Sequence, residues 1–366
     1  MKRLFATVGL LCACGGGAIS AQAAGFANND FSASGVGVAN AMVAGVADVT
    51  AASYNPAAIA WLGGGVYVEG NFASRGRNSS VKLSSGAIQS NDGSARNGSG
   101  LHAAWMSKDS DIGVSLAFTQ PFESKNVWGG DRTSIKTDRL SLDVIYAVSS
   151  TLAVAHGVDI YRTTVNMTQG AASFSGKDKV SFGVNVGVNW KPAPLWQVGM
   201  MLRSGTKAKV KSATNQQVDL KLPEQITLGV SHDIANAFRL EADIAYERWS
   251  RIKNLDVIGG RIKNPTDLKD TLALKTGLTW YWLPDTTFRF GYAYEQGANR
   301  ASAFQRAIAD QSGHRLSLGA GGNAFGVHVD VAYAYTFHPK QSVTSPIVAE
   351  YRDREQAMMI SLSKAF

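Results

Sequence analysis

"DKVSFGVNVGVNW", residues 178–190, sets Val180, Phe182, Val184, Val186, Val188 and Trp190 on one face. Lys179, Ser181, Gly183, Asn185, Gly187 and Asn189 fall on the other. A period of two over this length is a strand with one apolar face and one polar or small face. The same rule governs "TLALKTGLTWYW" (271–282), "TTFRFGYAYEQ" (286–296) and "FGVHVDVAYAYTF" (325–337).

Extended along the chain, the alternation predicts fourteen strands, near 64–72, 98–106, 110–118, 138–148, 151–163, 178–190 and 195–204 in the first half. The second half predicts 222–232, 236–248, 269–282, 286–296, 313–321, 325–337 and 355–366. Their connections run long and short in turn. Tight turns "SKDS" (107–110), "SS" (149–150), "KPAP" (191–194), "IANA" (234–237), "PD" (284–285) and "NAFG" (323–326) separate longer polar stretches at 74–98, 126–136, 168–176, 209–218, 251–267, 298–311 and 338–353. Short turns at one end and long loops at the other are the mark of an outer-membrane barrel. Sandwich strands are nearer five or six residues, and a sandwich has no cause to keep this order. The expected fold is all-β: a 14-stranded antiparallel transmembrane β-barrel, 61–366, with both ends periplasmic.

The first 23 residues read as a secretory signal peptide: Lys2 and Arg3, an apolar run at 4–14, then Ala21-Gln22-Ala23. Both cysteines, Cys12 and Cys14, fall inside it, so the mature chain offers no disulfide or cysteine metal site. Removing Lys2 and Arg3 from 36 basic residues leaves 34 against 28 acidic, a net +6 spread along the chain. That pattern lacks the basic stripe of a nucleic-acid binder. A mean hydropathy of −0.07 is compatible with a barrel, whose strands offer alternate side chains to lipid.

Between signal and strands lies "AGFANNDFSASGVGVANAMVAGVADVTAASYNPAAIA", residues 24–60. Asp30 and Asp48 rule out a lipid-spanning helix, while Phe26, Phe31, Val36, Val43, Val49, Tyr54 and Ile59 want burial. Its many small residues suit compact folding within a lumen, with Asn55 bonding local backbone and Pro56 fixing φ in a turn. Trp190, Trp196, Trp280 and Trp282 sit beside the tight turns, as an interfacial girdle requires. The chain stops on Phe366, in phase with Met358, Ile360 and Leu362. A terminal aromatic on a last strand resembles the signal read by the barrel-assembly machinery.

Several patches resemble the FadL family of outer-membrane transporters for long-chain fatty acids and other hydrophobic compounds (OmpP1/FadL/TodX). They are Gly25-Phe26, Ser34-Gly35 with Gly37, Asn55-Pro56-Ala57, "KLPEQITLGV" (221–230), "DIAYERWSRIKNL" (243–255) and "TFRFGYAYEQ" (287–296). The resemblance implies a monomeric barrel set among outer-membrane lipid and lipopolysaccharide, with residues 24–60 folded inside as a hatch, and no cofactor. It implies passive uptake through an internal pocket, hatch movement and exit through a gap beside a kinked third strand. Gly113 is the expected kink; Pro121 reads as an outer-rim residue.

The inward phase includes Arg139, Asp143, Lys179, Glu241, Asp243, Glu295, His328 and Asp330. From it, Tyr161, Met201 and Tyr281 are the candidates for tail contact. Arg203, Lys275, Arg289 and Arg315 are the candidates to meet a carboxylate; the alternative for each is a structural charge network. Lys275 and Arg289 draw particular interest as members of neighbouring strands. A general polar porin is the rival reading of the whole. An enzyme is disfavoured because no histidine pairs persuasively with a serine and an acid, and the dispersed histidines argue no metal site.

Overall fold

The computed structural model describes residues 25–45, 48–92, 95–345 and 348–366; the expected signal peptide lies outside them. The first half of the wall comprises β1 (Gly65–Leu83), β2 (Ile88–Ser90), β3 (Ala95–Met106), β4 (Ile112–Trp128), β5 (Asp131–Ala147), β6 (Leu152–Gln169), β7 (Ala172–Lys177), β8 (Ser181–Ala193) and β9 (Trp196–Arg203). The second comprises β10 (Thr206–Ser212), β11 (Gln217–Leu222), β12 (Gln225–Ile234), β13 (Phe238–Glu247), β14 (Thr271–Leu283), β15 (Thr286–Glu295), β16 (Gly313–Ala324), β17 (Val327–Val343) and β18 (Ala349–Ala365). Pairing is antiparallel throughout, and β1 closes on β18 from Tyr67↔Ala365 to Leu83↔Ala349.

These segments make fourteen passes of the wall. β6 pairs with β8 below and β7 above, and β10 and β11 continue the line above β9 and β12. The breaks fall at residues 178–180, at Ser204-Gly205 and at Pro223-Glu224. Closure pairs the lower wall all round, the condition for strands to stand in lipid.

The expected strands are present, and several are longer than expected. β4 and β5 meet across Gly129-Gly130, so the loop expected at 126–136 is a two-residue turn. The stretches at 74–98, 168–176 and 209–218 likewise contain strand. The cause is a reversal of polarity with height. In the lower wall the exposed face carries Val184, Leu274, Leu318 and Ile360, and the buried face carries Asn185, Asp243, Lys275 and Arg315. In the upper wall Ile135, Val165, Phe174, Val210, Val218 and Leu220 point inward. Lys136, Lys207, Lys209, Lys211 and Lys221 point outward there. Above the membrane the outer face meets water, so the polarity is that of a soluble sheet. Lys179, expected inside, is exposed at one of the breaks.

Residues 25–45 and 48–62 precede β1 and pack on the inner face of the wall. A short helix, Ala33–Gly37, is capped by Ser32, whose hydroxyl accepts Gly35 N–H at 3.0 Å. It lies against β15 to β18. A second helical turn, Ala51–Tyr54, leads into the 3-10 turn Pro56–Trp61 against β5, β6 and β8. Asn55 caps that turn, with Pro56 at its start. No described helix is long and apolar enough to cross a membrane.

Candidate functional site

The upper lumen receives the start of the described chain. Gly25 has φ of 72°, and a Cβ there would lie 2.5 Å from the Trp249 ring, so only glycine fits. Phe26 lies 4.7 Å from Trp249 and 6.0 Å from Phe122, centroid to centroid. Backbone bonds extend the contact: Asn28 N–H donates to Pro121 O at 2.7 Å, and Glu123 N–H to Phe26 O at 2.9 Å.

These bonds fall where β4 is irregular. Its register with β5 shifts between Thr119 and Phe122, around Gln120-Pro121. Its described pairing with β3 runs from Met106↔Gly113 to Leu101↔Phe118. Gly113 itself is in regular register with both Met106 and Ile145. The irregularity therefore centres on Gln120-Pro121 rather than Gly113, because proline brings no N–H to the ladder.

Farther down, the segment is held by charge and by missing side chains. Asp30 takes Arg315 at 2.7 Å and Arg75 at 3.5 Å. Asp243 Oδ2 accepts Met42 N–H and Val43 N–H at 2.8 and 3.1 Å, and Glu241 Oε1 accepts Ala44 N–H and Gly45 N–H, each at 2.9 Å. Asn55 Nδ2 donates to Val43 O at 2.8 Å and to Val188 O at 2.9 Å. Gly199, Gly277 and Gly291 form a trough in which a Cβ would come within 2.0, 2.6 and 2.3 Å of Val43 O, Val38 Cβ and Ala39 N. Gly35 is needed for the same reason: its Cβ would lie 2.1 Å from Tyr54 Oη. Gly37 packs against Gly319.

Two spaces remain beside this segment. A lumen cavity of about 50 Å³ is lined by Phe31, Tyr54, Arg139, Met201, Arg203 and Lys275, among others. A vestibule of about 600 Å³ near the tight-turn end is lined by Ser34, Val38, Met42, Tyr281, Arg289 and Asp330. A larger hollow of about 820 Å³ is bordered by the outward Leu240, Leu278, Phe290, Leu316 and Leu318, so it belongs to the lipid-facing wall.

Met201, Arg203 and Lys275 thus come together, whereas Lys275 and Arg289 occupy different spaces. Tyr161 packs in the upper core and donates to Asp159 Oδ2 at 3.2 Å. Three of the four candidate cations are paired: Arg203 with Asp159 at 2.7 Å, Arg289 with Asp330 at 2.5 Å and Arg315 with Asp30. Lys275 is 5% exposed, and its strand partner Asp243 has turned to Met42 and Val43. Sequence reasoning passed over Arg139, which lies over the Phe31 ring at 5.2 Å with Nε and Nη2 lacking hydrogen-bond partners among the described residues. Its inward phase was the available signal.

Two other constellations bear on chemistry. Ser53 Oγ lies 2.8 Å from His102 Nε2, an arrangement sequence spacing did not reveal, since the pair joins the N-terminal segment to β3. Glu69 Oε1 is 3.8 Å from His102 Nδ1, beyond hydrogen-bond reach. His338, Asp353 and Glu355 offer ligand atoms within 4.8 Å of one another. Arg77 fills the charge requirement there, donating through Nε to Asp353 at 2.9 Å and lying 3.6 Å from Glu355.

A closed antiparallel barrel with apolar strand faces turned outward and an N-terminal segment packed inside defines an outer-membrane transport protein of Gram-negative bacteria. The family model for outer membrane protein transport proteins (OMPP1/FadL/TodX) matches residues 16–360, and the chain belongs to that family. Among solved structures, a Pseudomonas aeruginosa FadL homologue is similar with a TM-score of 0.81 at 17% identity, covering 95% of this chain and 99% of that one. The Pseudomonas putida toluene transporter TodX follows at 0.70 and 16%, covering 94% and 99%. The Ralstonia pickettii toluene transporter TbuX follows at 0.65 and 15%, covering 90% and 97%. No curated protein sequence matches. The protein is a non-catalytic channel for passive transport of hydrophobic small molecules across the outer membrane.

Proposed function

We propose that the cargo is a long-chain fatty acid or a similar anionic amphiphile. One observation carries this reading: Arg139 and Lys275, both buried, face one cavity beside Phe31, Val43 and Met201 with neither in a salt bridge among the described residues. The carboxylates on the same wall, Asp243 and Glu247, accept from Met42, Val43, Gln225 and Trp249. Burying a cation without a direct partner is costly, and a carboxylate ligand would offset it. The tail supplies the affinity, about 0.8 kcal/mol per methylene removed from water. A neutral hydrocarbon would use the apolar lining and leave both cations without a direct partner. It is the second reading, because two of the similar structures are described as toluene transporters.

On this reading residues 24–60 act as a hatch. Cargo entering from outside reaches the cavity once the hatch shifts, and leaves sideways at the Gln120-Pro121 irregularity. The backbone bonds from Phe26 and Asn28 to this part of β4 support that route, since moving the hatch would release them. Ligand drives the shift only by binding the moved state more tightly. A polar porin is disfavoured by the packed lumen.

Lipids extracted from natively purified protein and identified by mass spectrometry test the cargo. Fatty acids are expected, with retention falling about tenfold in Arg139→Gln/Lys275→Gln. Retention of neutral hydrocarbons alone, or fatty-acid retention unaffected by the double substitution, would overturn the assignment.

A further inference from the structure

Six lysines stand on the outer face just above the apolar band: Lys177, Lys179, Lys207, Lys209, Lys211 and Lys221, all exposed. Lys207 is the direct strand partner of Lys221, and Lys211 that of Lys177. Like charges placed opposite each other weaken an antiparallel pair. Asp219 answers one of them, with Lys207 Nζ at 2.6 Å, so six cations less one carboxylate leave a local net charge of +5.

Slippage cannot relieve the crowding. Ala208, Val210, Val218 and Leu220 on the opposite face are buried, and a one-residue slip would turn them out and the lysines in. The repulsion must be met from outside. Directly beneath, Phe182 and Val184 are 61% and 59% exposed on the lipid-facing wall. Lys179 is three residues from Phe182, roughly 10 Å at about 3.3 Å per residue. The patch therefore stands at the height of lipid headgroups.

We propose that this patch on β7, β10 and β11 binds the phosphate groups of saccharide lipids in the outer leaflet. Those lipids are crowded polyanions that need cations between them, and a fixed lysine array supplies them. Flexible lysine stems let each ammonium find a phosphate oxygen without precise geometry. The inference rests on the outer-membrane location and is independent of the cargo.

The test uses full-length protein in nonionic detergent, with bisphosphorylated lipid A and its dephosphorylated form as probes. The native protein is expected to prefer the phosphorylated lipid at least tenfold, with the preference shrinking as salt screens it. Lys207→Gln/Lys209→Gln/Lys211→Gln/Lys221→Gln should lose at least tenfold in binding that lipid. Inorganic phosphate at equal concentration should not displace it. Equal binding of the two lipids by native protein, undiminished binding by the variant, or displacement by inorganic phosphate would each overturn the proposal. The two-lipid comparison decides even if the variant fails to assemble.

Discussion

Asp310 Oδ2 accepts the backbone N–H of Gly25 at 2.8 Å, joining groups 285 positions apart in sequence. One oxygen on the loop between β15 and β16 thereby holds the start of the described N-terminal segment. The same oxygen accepts Ala298 N–H.

This bond should respond to pH. Burial pushes the Asp310 carboxyl up to about 7, against the pull of Ala298 N–H, Gly25 N–H, His338 and Arg77. A raised acid favours the folded state below its unfolded value near 4, and that contribution fades as pH rises through about 7. Hydrogen exchange at residues 25–30, corrected for intrinsic rates, should therefore show weaker protection at pH 8 than at pH 6. Asp310→Asn should flatten the difference. An unchanged pH dependence in that variant would exclude Asp310 as its source.

Asp243 and Glu241 hold four successive backbone N–H groups. Asp243→Ala/Glu241→Ala removes both acceptors and leaves each buried donor unsatisfied, at about 1–3 kcal/mol apiece. The barrel should still assemble, judged by its gel mobility before and after heating. Ion conductance in a planar bilayer should rise as residues 42–45 loosen. Conductance equal to the native level would mean that the segment is seated without them.

A larger residue in the trough should have a stronger effect. In Gly291→Val the new side chain meets the backbone of Val38 and Ala39, which cannot swing aside as a side chain can. Protease should then cut within 25–60 while the barrel stays intact. Deleting 24–60 should leave an assembled but leaky barrel; failure to assemble would mark the segment as chiefly a folding element.

Phe366 is 71% exposed on the lipid side, and its backbone exchanges two hydrogen bonds with Val66, at 2.8 and 3.1 Å. Phe366→Ala keeps both bonds and removes the ring. Slower assembly in cells, with unchanged stability once folded, is the outcome expected of a recognition signal. Unchanged assembly kinetics would leave the ring a membrane contact only.

The lower wall was legible because lipid demands a continuous apolar face, so Val184, Leu274 and Ile360 announce their strands. The upper wall was harder to read. "KAKVKS" at 207–212 alternates cleanly, but its apolar face is only Ala208 and Val210, and its lysines imitate a loop. Inward and outward phases placed Met201, Arg203, Lys275 and Arg315 correctly as lumen residues, since period two depends only on backbone geometry. Pairings were out of reach. Arg315 with Asp30, Ser53 with His102 and Gly25 with Asp310 each join distant segments, and no local pattern encodes them. Pro121 read only as an outer-rim residue, and its position at the β4 register shift against the inner peptide had to be seen in three dimensions.

The reversal of wall polarity sets how deep this barrel sits. Moving it inward by two residues would drag Lys179 and its neighbours towards hydrocarbon, at up to about 2–4 kcal/mol per lysine near the midplane. Moving it outward would strip acyl chains from Phe182 and Val184. Opposing penalties on either side of residues 179–182 make the wall a depth gauge, which holds the Gln120-Pro121 irregularity at a constant level in the bilayer.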